Sequence, residues 1–360
     1  MDVAVESTTS ILEKVYSDRR LNLEDAIQLF HSDDLIELGM AADYVKQKFH
    51  PEPEITYIVD RNINYTNVCY VECSFCAFYR SSMESDSYLH GLDLLDKKIE
   101  ETISLGGTGI LLQGGLHPEL KIEWYEGLLR HFKKKFPSIW IHGFSPPEIT
   151  NICKVSKLPL PEVMERLMAA GLDSLPGGGG EILADRVRTI LSPRKCNTAE
   201  WLAVHEETHR LKLRSSATMM FGHIETLEER AEHLQKIRDL QDRTGGFMSF
   251  ICWTFQPENT LLSLPTATAA DFLKTLAISR IFLDNIENVQ SSWLTQGWKL
   301  GQVALRFGAN DMGSVMIEEN VVSAAGANHE ASEEDLRRLI RDAGFTPMKR
   351  DTIYRIVEDL

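Results

Sequence analysis

From Ile55 onward, short runs rich in β-branched and aromatic residues alternate with amphipathic helical stretches, and few folds accommodate that rhythm over most of a 360-residue chain. The strand-like runs are "ITYIVDRNINYT", "TGILLQGG", "SIWIHGFS", "LDSLPGGGG", "SSATMMFG", "FMSFICWTF", "NVQSSW" and "VALRFGAND". Helical patterns such as "LDKKIEETISLG", "PEVMERLMAAG" and "LEERAEHLQKIRDLQDRTG" separate them. Eight strands, each followed by a helix, predict an α/β protein built on a closed (β/α)8 TIM barrel, which takes about 250 residues. The barrel is expected over 55–325, behind an N-terminal helical segment at 1–54 and ahead of a C-terminal helical extension, packed on the barrel, at 326–360. In the first segment Leu23, Ala26, Ile27 and Phe30 share one face and Leu35, Leu38, Ala41 and Ala42 another. In the last, Ser332 reads as an N-cap with Asp335 three residues on, and Gly344 with Pro347 ends the helix before a last short one.

Fifty-three acidic residues against 38 basic ones give a formal charge of −15, which repels nucleic acid and anionic membranes. The start "MDVAVESTTS" lacks the features of a secretory signal, and no apolar run approaches the roughly 20 residues that span a bilayer. A cytoplasmic protein without nucleic-acid or membrane partners is expected. Six cysteines are too few and too unevenly placed for a disulfide framework. Cys153, Cys196 and Cys252 are scattered and read as small buried residues.

Cys69, Cys73 and Cys76 form the one cluster, C-x3-C-x2-C in "NVCYVECSFCAFYR" directly after the first strand. In a barrel this is the end where ligands sit. One loop of that spacing can place three thiolates on three irons of a cubane cluster, leaving the fourth iron without a protein ligand. Structural zinc usually takes four Cys or His ligands, and no second C-x2-C pair is present.

The spacing, with Phe75 just before the last cysteine, resembles the radical S-adenosylmethionine superfamily. That resemblance implies a 4Fe–4S cluster whose open iron is chelated by S-adenosylmethionine, which one electron splits into methionine and a 5′-deoxyadenosyl radical. It also implies that Gln113, Gly114 and Gly115 lie against the methionine moiety, and that Glu181 and Arg188 form an acid and base pair on the cofactor. A simple βα turn and a solvated ion pair are the plainer readings of these two sets.

The segments "NINYTNVC", "GGTGILLQGGLHPEL", "LPGGGGEIL", "WTFQPENT" and "GANDMGSVMIEENVV" together resemble the family of cyclic dehypoxanthinyl futalosine synthases of menaquinone biosynthesis, from about residue 20 to the C-terminus. "INYTN", "AFYR" and "GSVMIEENVV" favour this family over the related aminofutalosine synthase and deazaflavin synthase subunits, which stand as the alternative reading. The implied oxidoreductase reaction removes the ribose C4′ hydrogen of dehypoxanthine futalosine. The C4′ radical then adds to the benzoate ring, and loss of an electron and a proton gives the cyclic product. A reductant protein such as flavodoxin or ferredoxin is the implied partner.

For the last proton His223, Glu225 and Tyr79 are candidates, each with packing as its plainer reading. Arg80, Arg188 and Lys195 are candidates for holding the substrate carboxylate. Gln256 and Glu258, at the end of the sixth strand, and Asn310 and Asp311, at the end of the eighth, could meet ribose hydroxyls or be turn residues. A non-catalytic iron–sulfur or zinc scaffold is the alternative of a different class.

Overall fold

In the computed structural model, which describes residues 7–357 apart from 328, the strand-like runs become ten parallel strands. They are β1 (Glu54–Ile58), β2 (Asp60–Asn64), β3 (Gly109–Gln113), β4 (Trp140–Gly143), β5 (Ser174–Leu175), β6 (Arg214–Phe221), β7 (Phe247–Thr254), β8 (Asn288–Gln290), β9 (Asp311–Ser314) and β10 (Thr346–Lys349). Only Val59 separates β1 from β2, so the two are halves of one stave. β1 pairs with β9 while β2 pairs with β3, and the strands between run in order. The sheet therefore curls back to its own start as a barrel of eight staves, as the alternation predicted.

Two expectations need correction. The eighth strand is "DMGS", not "VALRFGAND", because Trp298–Ala304 is helical and Gly308, at φ +98°, turns the chain before the strand begins. Asp311 thus opens β9 and Asn310 precedes it, at the opposite end of the barrel from the expected one. The residues after 326 are also not purely helical. Ser332 and Asp335 cap the helix Glu333–Asp342 reciprocally, as expected, but "TPMK" then pairs with β1 in register Glu54↔Thr346 to Tyr57↔Lys349.

The N-terminal segment folds as α1 (Thr8–Tyr16), α2 (Leu23–His31) and α3 (Leu35–Phe49). Asn22 and Asp25 cap α2 reciprocally, and α3 lies against the helix Ala269–Phe282. Ala26, Phe30, Leu38, Ala41 and Ala42 are buried there. Leu23 and Ile27 are only half-buried.

Candidate active site

The cysteine loop leaves the C-terminal end of β2 and is braced by its own flanks. Cys69 N–H donates to the Arg80 carbonyl (2.9 Å) and Arg80 N–H to the Asn67 carbonyl (2.8 Å). The Arg80 guanidinium donates to the carbonyls of Ala77 (3.1 Å) and Tyr79 (2.8 Å) and to Asp86 (2.6 Å). Held this way, Cys69, Cys73 and Cys76 line one cavity of about 280 Å³ together with Phe75 and Tyr79. Burial pushes the Cys73 thiol up to about 12 and raises that of Cys76.

The opposite wall comes from the ends of β3, β4 and β5. Gly114 N–H donates to Glu148 Oε1 (3.0 Å), which also accepts the Tyr65 hydroxyl (2.7 Å), while Ser145 donates to Oε2 (2.6 Å). Gly115 fits so closely that a Cβ there would lie 2.3 Å from the Val68 carbonyl oxygen and 3.0 Å from Cys69 Cβ. Across the cavity Lys195 Nζ donates to Glu181 Oε1 (2.8 Å) and stands 5.2 Å from the centre of the Phe75 ring. Burial works against that ammonium, but Glu181 and Cys73 outweigh it and raise its pKa. The wall therefore sets an ammonium, paired with Glu181, beside the cysteines, of which Cys73 is buried and Cys69 and Cys76 are half-buried.

A second cavity of about 310 Å³ occupies the barrel axis. Gln113, Gly178, Trp253, Val321 and Val322 line both spaces, so the two adjoin. Below that shared wall the barrel cavity carries Asp60, Asn62, His142, Gln290 and Arg350. Burial pushes the Asp60 carboxyl up to about 6 and the His142 imidazole down to about 3.

Residues 63–237 match the radical SAM superfamily model and residues 244–359 that of the CofH/MqnC C-terminal region. The cyclic dehypoxanthine futalosine synthase of Halalkalibacterium halodurans is 47% identical over 98% of this chain and 95% of its own length. That of Streptomyces coelicolor is 44% identical over 96% and 87%. This chain belongs to the cyclic dehypoxanthine futalosine synthase family of radical SAM enzymes. The fold is also that of the hydrogenase maturase HydG from Carboxydothermus hydrogenoformans, with a TM-score of 0.72 at 18% identity, covering 97% of this chain and 80% of that one.

The donor set suits the cluster and S-adenosylmethionine that membership of this family implies. Burial raises the thiols of Cys73 and Cys76, which would release their protons on ligating iron, and Lys195 would offset part of the resulting thiolate charge. Among the described residues no three His, Cys, Asp or Glu side chains crowd together as for a single ion. The three thiols surround a cavity instead.

Of the residues expected at the site, Cys69, Cys73, Cys76, Phe75, Tyr79, Gln113, Gly114, Gly115, Glu181, Lys195 and Gln256 line the cysteine cavity. The others do not. Arg188 is buried beside that cavity, and its guanidinium is occupied by the carbonyls of Gly179 (3.1 Å), Gly180 (2.8 Å) and Cys196 (2.6 Å). It shapes the glycine-rich loop, and Arg80 likewise braces the cysteine loop. His223 and Glu225 side chains are 0% and 1% exposed and line neither cavity. Although burial opposes it, His223 and Arg230 hold the Glu225 carboxyl at about 2, unsuited to take a proton. Glu258 is exposed, against Gly326. Asn310 and Asp311 are buried in bonds to Arg280 and Arg350.

Glu148 was missed, although a carboxylate two residues into the helix behind a strand end of a (β/α)8 barrel is a signal that can be read. Burial raises its carboxyl from 4.5 to about 7, against the bonds from Ser145, Tyr65 and Gly114. A raised folded-state pKa stabilises the fold fully below about pH 4.5, and that contribution is lost as pH climbs through 7. Glu148→Gln should therefore gain apparent Tm relative to wild type between pH 5 and pH 8, by at most about 3 kcal/mol of stability. A pH-independent difference would contradict it.

At Gly115 an alanine methyl would displace Val68 and with it Cys69. Gly115→Ala is expected to lower S-adenosylmethionine cleavage at least about tenfold, as small displacements of reacting groups do. Gly127→Ala, with no atom within 4 Å of the new methyl, should leave turnover unchanged.

Proposed function

We propose that this chain converts dehypoxanthine futalosine to its cyclic product in menaquinone biosynthesis, as a cytoplasmic enzyme reduced by a one-electron donor protein. The observation that carries the reading is the junction of the two cavities: a cysteine-lined space opens past Gln113, Gly178 and Trp253 into a barrel cavity of small-molecule size. When bound, the cluster and S-adenosylmethionine supply the one-electron chemistry that removes the ribose C4′ hydrogen.

The chain's own residues position and shield. Cys69, Cys73 and Cys76 would hold the cluster. Gly114 and Gly115 offer close backbone approach beside it, with Glu148 fixing the Gly114 N–H. Lys195 supplies a cation for an anionic group in the same space. Val321 and Val322 cover the junction, pinned because Glu319 accepts the backbone N–H groups of Val321 (2.8 Å), Val322 (2.9 Å) and Ser323 (2.9 Å). This apolar cover keeps water from the reacting carbon and favours ring closure over quenching.

The test is anaerobic turnover of the reconstituted protein with dehypoxanthine futalosine, scored for the cyclic product and deoxyadenosine in equal amounts. Full cluster occupancy without turnover would overturn the reading. Turnover of an aminofutalosine synthase's substrate instead would move the chain to that reaction.

A further inference from the structure

The barrel cavity has a floor that the C-terminal segment builds. Beyond β10 the Asp351 carboxylate accepts the N–H groups of Ile353 (3.0 Å) and Arg355 (2.9 Å), and this tight turn sets Arg350, Thr352 and Tyr354 into the N-terminal mouth of the barrel. Thr352 approaches so near that a Cβ on Gly109 would lie 2.6 Å from its hydroxyl oxygen. The cavity is thus a dead end, open toward the cysteines and closed by the tail.

Its deep polar groups are mostly donors. Arg350 donates to both Asp311 oxygens (2.5 and 2.9 Å) and to the Asp351 carbonyl (2.9 Å), which engages three of its five N–H groups. Among the described residues no protein acceptor takes the Asn62 amide N–H groups, the Gln290 amide or the Thr352 hydroxyl, all of which line this cavity. Among the described residues Arg350 is the one Lys or Arg on its wall. Unmatched donors beside a guanidinium with two N–H groups to spare suit an acceptor rich in lone pairs, as a carboxylate is.

Each acid nearby is already held by donors of its own. Asp311 is neutralised by Arg350 and takes two further bonds, from the Thr56 hydroxyl (2.5 Å) and Gly313 N–H (2.8 Å). Asp60 accepts the Ser314 hydroxyl, and Glu319 is turned into the backbone N–H groups of its own loop.

We propose that this floor, with Arg350, Thr352, Asn62 and Gln290 as donors, is the subsite for the aryl carboxylate of the substrate. The inference rests on the functional reading above, and it moves carboxylate recognition from Arg80, Arg188 and Lys195 to the opposite end of the barrel. The ribose end of the substrate then points toward the cysteines, the orientation that C4′ chemistry needs. The C-terminal tail becomes a substrate-binding element.

The test compares dissociation constants of dehypoxanthine futalosine and its primary carboxamide on the reconstituted holoenzyme. Wild type should prefer the acid at least about tenfold. Thr352→Val, which keeps size, and Arg350→Lys, which keeps charge but loses the planar fork, should each lower that preference about fivefold or more, with folding checked by circular dichroism. An unaltered preference in both variants, or its loss in Lys195→Met instead, would overturn the subsite while leaving the function standing. Failure of wild type to bind either compound would overturn the functional reading, and the subsite with it.

Discussion

A Cys73→Ser chain, reconstituted anaerobically with iron and sulfide, is expected to hold well under half the iron of the wild type and to cleave S-adenosylmethionine more than about 100-fold more slowly. Loss of a contact that merely supports a metal ligand already spans about 10–100-fold, and here a ligand itself is lost. Cys73 is the most buried of the three thiols, 7% exposed, and packs against Val71 and Leu116. A serine hydroxyl there has no soft lone pair for iron and cannot ionise in that setting. Cys153→Ser, outside both cavities, should keep its iron and its activity. Equal iron in wild type and Cys73→Ser would sink the cluster assignment and favour a scaffold role.

The contrast between the two cavities explains what the sequence could disclose. The cysteine cavity is made by contiguous loops at strand ends, so "CYVECSFC", "QGG" and "GGGGE" each signal themselves by spacing or by glycine, and a resemblance could place them. The barrel cavity is made by single side chains on separate strands. Asn62 and Gln290 occupy inward positions on β2 and β8, and Arg350 arrives from 39 residues beyond the start of β9; nothing in local composition marks them. The misplaced eighth strand has a similar cause. "VALRF" is apolar enough for a strand, yet Trp298–Ala304 extends as a helix packed on its neighbouring helices, with Ala304 and Leu305 buried, and the true strand is four residues with one glycine. His223 and Arg188 look chemical in a sequence, but the network of Glu225, Arg230 and Asp271 and the carbonyls of the glycine-rich loop claim them structurally.

The floor carries a stability consequence as well. Asp311 is fully buried and accepts four hydrogen bonds, two from Arg350 and one each from Thr56 and Gly313. Asp311→Ala removes all four and strands the Arg350 charge in the barrel, at a cost of about 3–5 kcal/mol for breaking one side of a buried pair. At about 2–4 °C per kcal/mol, the apparent Tm should fall by about 6–20 °C. Replacing both partners, as Asp311→Leu with Arg350→Met, should recover much of that loss, because apolar groups of similar volume need no partner. The double variant should nonetheless bind the substrate acid no better than its carboxamide. A chain restored in stability but blind to the carboxylate would separate what the pair does for the fold from what Arg350 does for the ligand. Equal losses in the single and double variants would mean that packing at the floor, and not the buried charge, sets the stability.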